Sequence, residues 1–123
     1  MKALYSLAAA VALFSGPAYA ACTYPKAPES LPDGATATLE QMVAAQKAVK
    51  QFDQEITAYT SCIKLEHDAT LTKEGEKMTP EQKAEMSRVQ VQKHNAAVEE
   101  DEALAARFND QVKAFKAKND KKK

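Results

Sequence analysis

Few side chains in this 123-residue sequence stand in spacings that do chemistry. Cys22 and Cys62 are its cysteines. In an oxidising compartment an even count reads as a bridge, and the loop it would close is worth roughly 3–4 kcal/mol. A redox role lacks its Cys-x-x-Cys, and lipidation of Cys22 stays open, although Tyr19 stands where a lipoprotein signal places leucine. His67 lies between Glu66 and Asp68, but adjacent helical residues point apart, so the triplet alone holds no metal. Met42, Met78 and Met86 are soft donors without the clustering of a soft-metal site. Ser61 and Ser87 sit in helical runs with no G-x-S-x-G elbow, and Gly34 and Gly75 are too far apart to cradle a phosphate. This inventory predicts a protein that is not an enzyme and uses no cofactor or metal, with His94 a core or half-buried residue.

The elements that must carry these residues are long helices. Thr38 with Gln41 forms a capping box. Met42, Val49, Ile56 and Ile63 then recur every seven residues, with Ala45, Phe52 and Tyr59 three positions after the first three, which is a heptad seam. A first helix is predicted over about 39–67, and a polar connection over 68–78. Thr79 as N-cap, Pro80 at the first helical position, Glu81 and Gln82 start a second helix that runs to about residue 116. Its seam has one row of Ala84, Val91, Val98, Ala105 and Val112, and another of Ser87, His94, Asp101, Phe108 and Phe115. Upstream, Pro25, Pro28, Pro32 and Gly34 mark residues 21–37 as an extended arm with a turn at Pro32-Asp33-Gly34. Sixteen such residues reach ~50 Å, enough to run back along the first helix and tie Cys22 to Cys62. The fold class is therefore all-α: an antiparallel, coiled-coil-like two-helix hairpin strapped by a disulfide-tied arm.

Folding the hairpin about residue 73 sets the expected register. The acidic block Glu99, Glu100, Asp101 and Glu102 falls near Lys47 and Lys50, and His94 falls opposite Phe52. Phe108, Val112 and Phe115 then overhang the first helix. The arm, through Leu31 and Tyr24, or another chain must cover them, so these three are the candidate interaction surface.

Lys2, the apolar run from Ala3 to Phe14 and Ala18-Tyr19-Ala20 read as a signal peptide over 1–20, with cleavage near Ala20 into the periplasm or medium. The run is too short to span a bilayer, which takes ~20 apolar residues. Losing Lys2 leaves 16 basic and 17 acidic residues, a net charge of −1, which argues against a nucleic-acid partner. Six lysines and Asp120 lie between Lys113 and Lys123, and residues 117–123 are expected to form a disordered basic tail.

Cys22-Thr23-Tyr24-Pro25, Pro32-Asp33-Gly34, Ala37-Thr38, Ala45-Gln46-Lys47-Ala48-Val49-Lys50 and Tyr59-Thr60-Ser61-Cys62 resemble a family of small uncharacterised proteobacterial secreted proteins. The likeness covers about residues 20–66 and implies a periplasmic location and paired cysteines, but no activity. Met78-Thr79-Pro80-Glu81-Gln82, loosely repeated at Ala37-Thr38-Leu39-Glu40-Gln41, is similar to the Leu-Thr-x-x-Gln motif of Spy-like periplasmic chaperones and stress sensors. That second likeness implies a helical dimer that binds unfolded clients on a partly basic surface. The expected role is thus contact with an unknown protein partner or a second copy. Client binding as a chaperone and periplasmic metal binding are the alternatives.

Overall fold

A computed structural model describes residues 22–122, so the signal peptide expected over 1–20 lies outside the described residues. Two helices dominate it: α1, Leu39–Glu74, and α2, Pro80–Asp120, joined by a 3-10 turn at Gly75–Lys77. Both begin as their sequences require. Thr38 accepts from the Gln41 amide while the Gln41 side chain accepts from the Thr38 amide, and Thr79 and Gln82 repeat the exchange. Each box satisfies two N–H groups that helix geometry leaves without partners.

The α1 helix runs seven residues past its expected end at His67, through most of the expected loop. Nothing between Asp68 and Glu74 breaks a helix. Lys64 pairs with Asp68 one turn on at 3.1 Å, and the Thr70 and Thr72 hydroxyls fold back onto the carbonyls of Glu66 and Asp68. Gly75 is the first glycine or proline after α1 begins. At the other end α2 continues to Asp120, into the stretch expected to be disordered. Lys118 donates to the Ala37 carbonyl and lies 4.9 Å over the Phe115 ring, which fastens the last turn.

The longer α1 moves the register. His67 faces Ser87 and Asp53 faces Asp101, so the hairpin folds about residue 77, not 73. Every expected seam residue of α1 faces inward: Met42, Phe52, Ile56, Tyr59 and Ile63 are buried, and Ala45 and Val49 half-buried. The α2 seam is corrected. Asp101, Phe108 and Phe115 do face inward and Val98, Ala105 and Val112 are half-buried, but the most buried positions beside Phe108 are Ala97 and Leu104, outside both expected rows. Val91 and His94 are exposed, so His94 is neither opposite Phe52 nor in the core.

The disulfide joins Cys22 to Cys62 with Cα atoms 5.7 Å apart and ties the arm to the middle of α1. From there the arm packs on both helices. Cys22, Ala27 and Leu31 rest on a core of Phe52, Ile56, Tyr59, Ile63, Ala97 and Leu104. Leu31 also joins the second cluster, formed by Ala37, Met42 and Phe108 with Val112 and Phe115. At the turn, the Asp33 carbonyl accepts from the amides of Thr36 and Ala37, and its carboxylate accepts from Ala35. Gly34 is buried there because the backbone of α2 passes close by. A Cβ at this position would lie 1.9 Å from the Gln111 carbonyl oxygen.

Candidate functional site

Three places on this frame gather polar or apolar groups. At the arm junction, Tyr24 stacks edge-on against Tyr59 with ring centroids 5.0 Å apart, and its hydroxyl donates to the Glu100 carboxylate. Partial burial, that hydrogen bond and the nearby charge push the Tyr24 phenol up to about 12, so it stays a donor at neutral pH. Beside it, Asp101 is held against Asp53 of α1. Burial first, then the hydrogen bond to Asp53 and the charges of Asp53 and Glu102, push its carboxyl up to about 6. The acidic block was expected to meet Lys47 and Lys50. The register about residue 77 instead sets those lysines level with Arg107 and Leu104, and the block meets a tyrosine and another aspartate.

Nearer the turn, the His67 side chain is mostly buried and joins residues far apart in sequence. Its Nε2 lies 3.2 Å from the Ser87 hydroxyl and its Nδ1 3.4 Å from the Asp68 carboxylate. A cleft of about 430 Å³ opens beside it, lined in part by Glu66, Met86 and Lys93. The order Asp–His–Ser imitates a nucleophile relay. Ser87, however, lies inside α2, where the backbone N–H groups around it are spent in the helix and offer no oxyanion hole. The contact was illegible in the sequence because it depends on how far α1 runs. Of the other soft donors, Met42 is buried at the far end, and no group of three or more His, Cys, Asp or Glu among the described residues is placed to hold a metal ion.

The third place is the open end of the hairpin. Phe108, Val112 and Phe115 do not overhang there. Phe108 is buried against Met42 and Ala37, while Val112 and Phe115 are half-buried beside it. The longer α1 brings its first turns level with them, and the arm contributes Leu31 and Ala37. Tyr24 sits elsewhere, at the junction. What remains open is a groove between the helices, with a cavity of about 240 Å³ floored by Met42, Phe108, Val112 and Phe115. Leu39 and Val43 form its α1 wall and are 66% and 41% exposed. Sequence reading missed these two because neither falls on the heptad seam.

Comparison with protein-family models, with curated proteins and with solved structures finds no match to this chain.

Proposed function

We propose that this is a secreted, periplasmic helical-hairpin protein that is not an enzyme and works by contact with other proteins at the open end of the hairpin. The observation that carries the reading is the groove walled by Leu39 and Val43. It is an apolar surface left uncovered on a small two-helix body, at the end where lysines gather. Its location rests on the leader-like Met1–Ala20 segment, and the Cys22–Cys62 disulfide and the lack of a helix long and apolar enough to cross a membrane among the described residues are compatible with it. The basic rim beside apolar side chains also favours client binding in the manner of a Spy-like chaperone as a second reading.

Leu39→Asp is the decisive variant. Residue 39 opens α1, where an acidic side chain suits the helix dipole, so the fold should survive. Wild type and variant would be compared by sedimentation velocity and by suppression of aggregation of three unrelated unfolded proteins. Wild type is expected to self-associate or to suppress aggregation near equimolar ratio, and Leu39→Asp to lose that behaviour with its melting temperature changed by less than about 2 °C. A wild type that is monomeric, leaves all three clients aggregating even at tenfold excess and binds no amphipathic helical peptide would defeat the proposal. Periplasmic fractionation with intact mass tests the location: the mature chain should begin after Ala20, carry no lipid and weigh two hydrogen atoms less than its reduced form.

A further inference from the structure

The open-end groove has a shape and a charge that together name what fits it, and this inference rests on the docking reading above. The groove runs between two antiparallel helices, Leu39 and Val43 on one wall and Lys116 on the other. No arm residue lines it. A channel between paired helices accepts a third helix, whose large apolar side chain would enter the cavity as an anchor.

Charge then selects among helices. Lys116 lines the groove itself, and Lys47 lines the adjoining hollow with Leu39 and Val43. Neither lysine forms an ion pair among the described residues. Arg107 stands level with Lys47 in the register, and Lys121 and Lys122 follow the end of α2. Glu40 is the acidic group on the same hollow, while Asp110 is engaged by Lys113 at 3.9 Å. A second copy meeting this face about a two-fold axis would bring like-charged rims together. We propose that the groove docks an amphipathic helix of another protein whose apolar stripe is edged by aspartate and glutamate.

The test uses the mature full-length chain and three designed, fluorescently labelled helical peptides. They share one leucine stripe, flanked by Glu, Gln or Lys. The Glu peptide should bind at least about tenfold tighter than the others, weaken as salt rises, and lose binding to Leu39→Asp. Lys47→Glu with Lys116→Glu should move the preference to the Lys peptide. Three peptides binding alike, all lost in Leu39→Asp, would overturn the acidic requirement and leave the docking surface standing. No binding up to about 1 mM, with a wild-type dimer that Leu39→Asp dissociates, would overturn the foreign helix in favour of a second copy. No binding by a monomeric, client-inert wild type would remove both this inference and the reading beneath it.

Discussion

Asp101 and Gly34 show how single positions carry the contact between the helices and the contact of the arm with α2. The Asp101 carboxyl is raised in the folded chain by burial and by Asp53 facing it. A folded value above the unfolded one means that the native state holds the proton more tightly. Its stabilising contribution is therefore full below the unfolded value near 3.8 and is lost as pH rises through about 6. Thermal melts from pH 4 to pH 7 should show that decline, and Asp101→Asn should flatten it, with a melting temperature at pH 7 at or above wild type. A wild-type slope kept in Asp101→Asn would assign the titration to another group. Gly34 is a steric matter, since the described glycines have no positive φ. An added Cβ meets α2 backbone that cannot yield, so Gly34→Ala should cost about 1–3 kcal/mol. The internal control is Gly75→Ala. There the helical backbone and a nearest atom at 3.9 Å, the flexible end of Lys83, allow a gain of about 0.4–1 kcal/mol. Urea denaturation of the pair reads both, and equal effects would refute the steric account.

At the scale of elements, the disulfide divides the work with the cores. Phe52 and Leu104 are almost fully buried at the centre of the helix contact. The Cys22–Cys62 bond spans 40 positions and restrains the unfolded chain, as it fastens the arm in the folded one. Cys22→Ser with Cys62→Ser should lower stability by roughly 3–4 kcal/mol in denaturant melts. A loss under about 1 kcal/mol would mean that the arm holds by packing alone. Helix starts were legible from local chemistry, because a capping box and an N1 proline act within four residues. Helix ends were not. Asp68 to Glu74 is polar enough to read as loop, yet its i,i+4 pair and threonine back-bonds, with no breaker before Gly75, keep it helical. That one misplaced end moved the register, and with it the partners of His67, His94 and the acidic block.

For the whole molecule, the arm acts as a third packing element. Its Leu31 joins both cores, Tyr24 reaches Glu100, and the Gly34 amide donates to the Gln111 side chain at 2.9 Å. Two helices alone form a small core, and small cores ordinarily need a staple. A chain starting at Thr38 should lose cooperative melting and expose apolar surface that a hydrophobic dye reports. A sharp melt near the wild-type temperature would show that the hairpin stands unaided.

Local and periodic information determined a good deal here: two capped helices, the α1 seam and the extended arm follow from side chains acting on near neighbours or at one repeat, and the pairing of the two cysteines follows from their even count. The tertiary structure alone decided the register about residue 77, the burial of Ala97 and Leu104 in α2, the burial of Phe108 and the exposure of Leu39 and Val43. Those outcomes depend on where a long helix stops and how two surfaces settle against each other. Both are sums of many small contacts between residues distant in the chain, and no short stretch of sequence contains them.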